Sequence, residues 1–207
     1  MSYRFSPRGL VALVLACGLA AAMVSPVFGD EGSPDQTPDD QTQQLPASTT
    51  SLDPCTLVTP AEASALAGTT YATGMEQTTD TGGRICVYGY QTLNVFMVLV
   101  AQSPDTATAQ TGWDTEQARV QNLIQGNLPP GANVTLNAST DAGLDGYDRS
   151  ATASASGVIG PRTLNVSGIY LLKGPTFVSY SDLLLDSAAP TTDALATQAQ
   201  TVLGRLP

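Results

Sequence analysis

The sequence contains no histidine, and this absence excludes several kinds of chemistry. Histidine is the usual general base, the usual pH-sensitive group and the commonest metal ligand in proteins. A Ser-His-Asp or Cys-His catalytic site therefore cannot be assembled from this chain alone. We accordingly predict no catalytic residues, no cofactor and no metal site, and we expect that the protein is not an enzyme.

Positive charge is also scarce, because 8 Lys and Arg residues stand against 18 Asp and Glu residues, for a net charge of −10. Nucleic acids and anionic lipid surfaces attract proteins chiefly through positive patches. We therefore expect no nucleic-acid partner, and membrane contact only through the N-terminal segment. Charged residues make up only 13% of the chain and apolar residues 42%, so a hydrophobic core can form.

The first 29 residues have the pattern of a signal peptide. Arg4 and Arg8 precede an almost wholly apolar run over residues 9–24, and a polar stretch begins at Asp30. This order of positive, apolar and polar segments predicts cleavage between Gly29 and Asp30.

Two other interpretations of this segment stay open. A retained anchor is one, because residues 9–28 approach the ~20 residues that a helix needs to cross a bilayer. Lipidation at Cys17 is the other, because residues 14–17 resemble a weak lipobox. All three interpretations place the rest of the chain outside the cytoplasmic membrane, either secreted or associated with the cell envelope.

Residues 30–52 are predicted to be an acidic disordered linker. The segment has no basic residue and three prolines, and its acidic residues are Asp30, Glu31, Asp35, Asp39 and Asp40. So polar a segment has too little apolar surface to offset the entropy of ordering it. Its like charges keep it extended.

The remaining cysteines, Cys55 and Cys86, form an even pair in a chain predicted to be exported. A disulfide is the expected state of such a pair. In the chain-entropy picture a loop of this length contributes roughly 3–4 kcal/mol. The alternatives are free thiols or a metal site, and two cysteines without histidine suit zinc poorly.

The remainder, residues 53–207, is predicted to be a single α+β domain. Thr59, Pro60 and Glu62 have the spacing of a capping box with proline at the first helical position, and Gly68 ends that helix. Further helices are predicted over residues 113–125 and 192–206, and strands over 84–90, 93–101, 133–137, 147–158, 163–172 and 176–183. Hairpin spacing predicts an antiparallel sheet of about five to six strands with about two to three helices packed on it and one disulfide.

The order of motifs in this domain resembles a known family. The domain opens with Asp-Pro-Cys-Thr-Leu-Val-Thr-Pro-Ala-Glu at residues 53–62, and Cys-Val-Tyr follows at 86–88. Gly-Leu-Asp-Gly-Tyr at 143–147 and Leu-Leu-Lys-Gly at 171–174 precede the final helix. This arrangement is similar to the actinobacterial exported-lipoprotein family called domain of unknown function 3558. The resemblance implies an extracytoplasmic α+β domain with one disulfide, here between Cys55 and Cys86, and no known activity. The weak lipobox at Cys17 departs from the family pattern.

Aromatic residues supply weak candidates for a binding surface. Alternation along the predicted strand places Tyr88 and Tyr90 on the same face as Cys86, where they could stack on a sugar or another flat ligand. Ordinary sheet tyrosines would look the same, because β-strands favour tyrosine. Trp113 would be the first residue of the predicted second helix. Its side chain could anchor the helix in the core or at its rim, or it could contact a ligand.

Two polar stretches have alternative interpretations. Asp141, Asp145 and Asp148 lie in a glycine-rich loop, where oxygen ligands for calcium are one possibility and turn formation is favoured. The small residues at 151–157 leave room above a sheet, as the floor of a ligand groove or as an exposed edge strand.

The leading hypothesis is an exported, non-enzymatic domain that binds a protein or a cell-wall component. The alternative is a small-molecule or lipid carrier, which would have an apolar cavity of several hundred Å³. A second alternative is a carboxylate-based hydrolase, which would have two facing carboxylates in a cleft with raised pKa values.

Overall fold

A computed structural model of the chain describes residues 52–79, 82–92, 94–114, 134–159 and 161–207. The predictions for the signal peptide, for Cys17, for the Gly29–Asp30 cleavage site and for nearly all of the linker lie outside the described residues. The predicted helix over 113–125 also lies outside them, except for its first two residues.

The described residues contain four helices and one seven-stranded sheet. The helices are α1 (Pro54–Leu57), α2 (Pro60–Ala67), α3 (residues 106–114) and α4 (Thr192–Leu203). The strands are β1 (Gly74–Thr78), β2 (Arg84–Tyr88), β3 (Val95–Gln102), β4 (Val134–Ser139), β5 (Arg149–Ile159), β6 (Arg162–Lys173) and β7 (Thr176–Leu185). All neighbouring strands are antiparallel, in the order β1-β2-β3-β7-β6-β5-β4.

The predicted α+β class and antiparallel sheet are confirmed, and the number of strands was predicted too low. The missed strand is β1, whose sequence Gly-Met-Glu-Gln-Thr lacks an apolar alternation. β1 lies at an edge of the sheet, with its last three residues exposed, so pairing with β2 rather than burial holds it in place. The short helix α1, which Asp53 caps by accepting the backbone N–H of Cys55, was also missed.

The predicted start of the second helix at Trp113 was wrong, because α3 already begins at residue 106. The carboxylate of Asp105 accepts the backbone N–H of Thr108 at 2.7 Å, which caps the start of the helix. Trp113 therefore lies in the third turn, where it packs edge-on against Phe177 of β7. The small and polar residues of the first two turns conceal the helix in the sequence.

The main core lies on one face of the sheet, called here the front face, which carries α1, α2 and α4. Its largest side chains are Tyr88, Phe96 and Tyr180, and all three are fully buried. The tyrosines also hold the helices, because Tyr88 donates its hydroxyl to the carbonyl of Val58 and Tyr180 donates to that of Leu195. The other face, the back face, carries α3.

The disulfide between Cys55 and Cys86 is present, with an S–S distance of 2.04 Å. It joins α1 to β2, and β1 passes directly beside it. A Cβ atom at Gly74 of β1 would lie 2.2 Å from Sγ of Cys86 and 2.8 Å from the ring of Tyr88. Glycine is therefore required at this position, because any side chain would displace the disulfide or the tyrosine.

The capping box of α2 is confirmed, and its glutamate has a second role. Glu62 accepts the backbone N–H of Thr59 at 2.8 Å. It also accepts two hydrogen bonds from the guanidinium of Arg205, at 2.6 and 2.8 Å. Arg205 donates in addition to the carbonyl of Leu57. This ion pair fixes the C-terminal segment against α1 and α2.

Candidate functional site

The front face changes from apolar to polar along a single row of residues that crosses all seven strands. The residues facing one another in this row are, in order, Gly74, Tyr88, Phe96, Asp182, Ser167, Ser154 and Asn137. The first three belong to or border the core. From Asp182 onward every member of the row is polar, so along this row the sheet extends beyond the core, although Ile169 and Leu171 of β6 still belong to the core.

This polar half of the front face forms a groove of about 640 Å³, called here the polar groove. Its floor comes from β4, β5 and β6, and its wall comes from residues 189–192 and Leu195 at the start of α4. Alternation along the strands assigns to the floor the side chains of Asn137, Ser139, Thr152, Ser154, Ser156, Asn165 and Ser167. No charged and no aromatic residue is among the described residues that line the groove.

The small residues of β5 explain why the groove exists. Thr152, Ser154 and Ser156 alternate with Ala153 and Ala155, which point to the back face. Short side chains on the front leave the space that core residues fill elsewhere on this face. The sequence-based interpretation of 151–157 as a groove floor therefore agrees with the structure. The edge-strand interpretation was wrong, because β4 lies outside β5.

The segment that leads from β7 into the wall is held against β6 by hydrogen bonds. Asn165 accepts the hydroxyl of Ser156 and donates its amide to the carbonyl of Ser187, both at 2.7 Å. One residue earlier, Asp186 has a positive φ of 58° and turns the chain out of β7. Its carboxylate accepts the backbone N–H of Thr163 at 2.9 Å and the guanidinium of Arg162 at 2.7 Å. The groove is therefore preformed.

A buried acid lies beside the groove, behind Ser167 of its floor. Asp182 is 1% exposed and accepts two hydrogen bonds from Ser167, one from its hydroxyl at 2.6 Å and one from its backbone N–H at 3.2 Å. Burial raises the pKa of this carboxyl from 3.8 to about 7, although the bonds from Ser167 act in the opposite direction. No described ion pair involves Asp182.

Asp182 was not singled out from the sequence, although a signal is present. It is the one acid within β7, whose residues are buried from Thr176 to Leu184. An ionisable residue in a strand buried on both faces needs a partner, because an unpaired buried charge is unfavourable. The sequence could have predicted a polar neighbour, but pairing across to Ser167 depends on the strand order.

Three floor residues have hydrogen-bonding groups that nothing in the described part of the chain occupies. The side chains of Asn137, Thr152 and Ser154 form no hydrogen bond with other described residues. Asn137 lies directly opposite Ser154 in the register of β4 and β5, and Thr152 is the next residue of β5 on the same face. These groups are therefore available to a ligand.

The aromatic candidates from the sequence do not form a surface. Tyr88 is 0% exposed and its hydroxyl is occupied by backbone carbonyls, so it belongs to the core and not to a binding platform. Trp113 is 5% exposed and packs in the back-face core. Tyr90 is 51% exposed but lies beyond the end of β2, after a turn in which Gly89 has a φ of +70°. The turn ends the alternation that would have aligned Tyr88 with Tyr90.

Of the aspartates in the loop before β5, Asp141 and Asp148 bind backbone N–H groups of turns, whereas the side chain of Asp145 forms no hydrogen bond with another described residue. Asp141 accepts the backbone N–H of Gly143 at 2.8 Å, and Asp148 accepts that of Gly174 at 2.6 Å. Among the residues that the structure describes, no group of three or more potential metal ligands comes together. In the same residues, no helix is long and apolar enough to cross a membrane.

Comparison with known proteins does not assign the chain to a family. No protein-family model matches it, and no curated protein is significantly similar to it. The resemblance to domain of unknown function 3558 stays a prediction.

Proposed function

We propose that this domain is a non-enzymatic, exported binding domain and that the polar groove is its binding site. The observation that carries the proposal is a preformed groove of about 640 Å³, whose floor presents amide and hydroxyl groups that no other described residue occupies. Its volume lies within the range of about 300–1,000 Å³ found for ligand sites. The partner is a protein or a component of the cell wall.

Export of the domain is supported by the pattern of its N-terminal segment and by the disulfide. Disulfides form and persist mainly in oxidising compartments outside the cytoplasm. We propose that the acidic segment over residues 30–52 tethers the domain to a lipid at Cys17 or to a retained N-terminal anchor. If the leader is instead cleaved between Gly29 and Asp30, the segment is the N-terminal tail of a secreted domain. Membership of the lipoprotein family that the sequence resembles belongs to the same proposal.

The polar side chains of the groove floor favour this function over that of a lipid carrier. An apolar ligand would remove Asn137, Thr152 and Ser154 from water without replacing their hydrogen bonds, which is unfavourable. The lining also offers little to a carboxylate-based hydrolase. It includes no acid among its described residues, and both oxygens of Asp182 accept hydrogen bonds from Ser167.

The proposal is tested by a substitution that fills the groove. The protein secreted by its own cells is purified and sedimented with a cell-envelope preparation, as wild type and as Ser154→Trp. The matched control is Val158→Trp, on the same strand and face but 64% exposed and outside the groove.

We expect Ser154→Trp to abolish sedimentation with the envelope and Val158→Trp to leave it unchanged, with similar melting temperatures for both variants. Equal sedimentation of the two variants would contradict the groove as the binding site. Failure of the wild type to sediment would contradict the envelope role.

A further inference from the structure

We propose that the ligand of the polar groove is an uncharged saccharide chain. The inference rests on the proposed binding function and adds the chemical class of the ligand. Three observations support it. The described lining contains no charged residue, and the backbone groups of β5 are already hydrogen-bonded within the sheet. The side-chain groups of the floor that no other described residue occupies are amides and hydroxyls.

The absence of charge in the lining argues against charged ligands. A carboxylate, phosphate or ammonium group that enters the groove would lose water without gaining a charged partner. The acidic composition of the protein adds a repulsion for anions. A ligand that fits must therefore form many hydrogen bonds without carrying a charge.

The sheet itself argues against an extended polypeptide on the groove floor. Polypeptides are commonly bound by adding a strand to a sheet edge, where free backbone N–H and C=O groups pair with the peptide. The floor is instead the face of a sheet, and the backbone groups of β5 are committed to β4 on one side and to β6 on the other. Over β5, therefore, only side-chain groups point into the groove.

The free side-chain groups match the hydroxyl and acetamido groups of a sugar. The amide of Asn137 both donates and accepts, and the hydroxyls of Thr152 and Ser154 do the same. Every hydroxyl of a sugar is likewise both a donor and an acceptor. In the wall, the half-buried Ala189 and Pro190 offer an apolar patch on which the C–H face of a sugar ring can lie.

The test measures direct binding and competition with defined probes. The probes are the neutral tetrasaccharides of glucose and of N-acetylglucosamine, the anionic tetrasaccharide of galacturonic acid, and an N-acetylated, C-amidated tetra-alanine peptide. Each is titrated calorimetrically into the secreted protein, and each is added to the envelope sedimentation assay. The variants are Thr152→Val in the groove and Thr163→Val as the control, because Thr163 is an exposed residue of β6 outside the lining.

We expect a neutral tetrasaccharide to bind to the wild type and to release it from the envelope. Its affinity for Thr152→Val should be about fivefold weaker, which is the loss expected for one hydrogen bond. Thr163→Val should bind like the wild type. Binding of the peptide or of the anionic tetrasaccharide alone would overturn the inference.

Two outcomes separate this inference from the proposed function. If the protein sediments with the envelope through the groove, yet no neutral tetrasaccharide binds or competes, the saccharide inference is overturned and the binding function stands. If a neutral tetrasaccharide binds in the groove but the protein never sediments with the envelope, the envelope role fails and the ligand class stands.

Discussion

The hydroxyl of Ser167 donates to the carboxylate of Asp182 at 2.6 Å, on two neighbouring strands at the boundary between the apolar core and the polar groove. On one side of this pair the row continues to Phe96 and Tyr88 beneath the helices, and on the other to Ser154 and the groove floor. The pair therefore allows a single continuous sheet to support both a core and an open polar surface.

The stability of the protein should fall as the pH rises toward 7, because of Asp182. In the unfolded chain this carboxyl ionises near its ordinary pKa of 3.8, whereas in the fold its pKa is about 7. Between these values the folded state holds more protons, so each rise in pH favours unfolding. A shift of this size corresponds to about 4 kcal/mol when the pH exceeds 7.

Asp182→Asn should remove this dependence and stabilise the protein most at pH 8. Urea unfolding of the wild type and the variant at pH 4, 6 and 8 measures it, with Asp145→Asn in an exposed loop as the control. A difference in unfolding free energy between wild type and Asp182→Asn that stays constant from pH 4 to pH 8 would contradict the buried position of this acid.

Glu62 should have the opposite effect at acidic pH. Its hydrogen bonds from Arg205 and Thr59 lower the pKa from 4.5 to about 2, so the unfolded state holds more protons between these values. The stabilisation is complete above pH 4.5 and is lost as the pH falls through 2. Because both side chains are partly exposed, Glu62→Gln should cost about 1–2 kcal/mol at pH 7. Thermal unfolding of the wild type and of Glu62→Gln at pH 7 and pH 2.5 measures this loss of stability. An equal loss of stability at both pH values would exclude the ion pair as its cause.

The disulfide should stabilise the fold in an oxidising buffer only. Replacing both cysteines, Cys55→Ala with Cys86→Ala, removes a bridge over 31 residues and should cost roughly 3–4 kcal/mol. Under a reducing agent the variant and the wild type should melt at closely similar temperatures. Identical melting in the absence of reductant would show that the bridge contributes nothing.

Tyr180 should contribute to stability through its hydroxyl as well as its ring. Tyr180→Phe keeps the ring but removes the hydroxyl that donates to the carbonyl of Leu195. Because this carbonyl lies within α4 and keeps its helical N–H partner, the substitution should cost about 1 kcal/mol. Tyr90→Phe, at an exposed position, should change little. Unfolding free energies of the two variants test this, and similar values for both would refute the role of the hydroxyl.

Local signals in the sequence predicted much of this fold. The capping box at Thr59 and Glu62 and the cysteine pair each depend on a few residues and simple chemistry, and both are confirmed. β1 was missed because its residues are held by pairing with β2 and not by a pattern of their own.

The site was harder to predict, because it depends on strand order. The small residues of β5 indicated a space above the sheet. Nothing in the sequence, however, indicated that Asn137, Ser154 and Ser167 lie in one row with Asp182. Nor did the sequence indicate that residues 189–192 form a wall beside this row. The sequence also left open whether Tyr88 and Tyr90 form a binding surface or are ordinary sheet tyrosines, because packing against α1 and a turn at Gly89 decide their positions.

Hydrogen–deuterium exchange of the secreted protein, with and without a saturating fragment of the cell envelope, tests the central claim most directly. We expect slower exchange in residues 189–192 and Leu195 of the wall and in residues 152–156 of the floor, with no change in β1 or β2. Protection confined to β1, β2 and the turn at Tyr90, with the wall and floor unchanged, would contradict it.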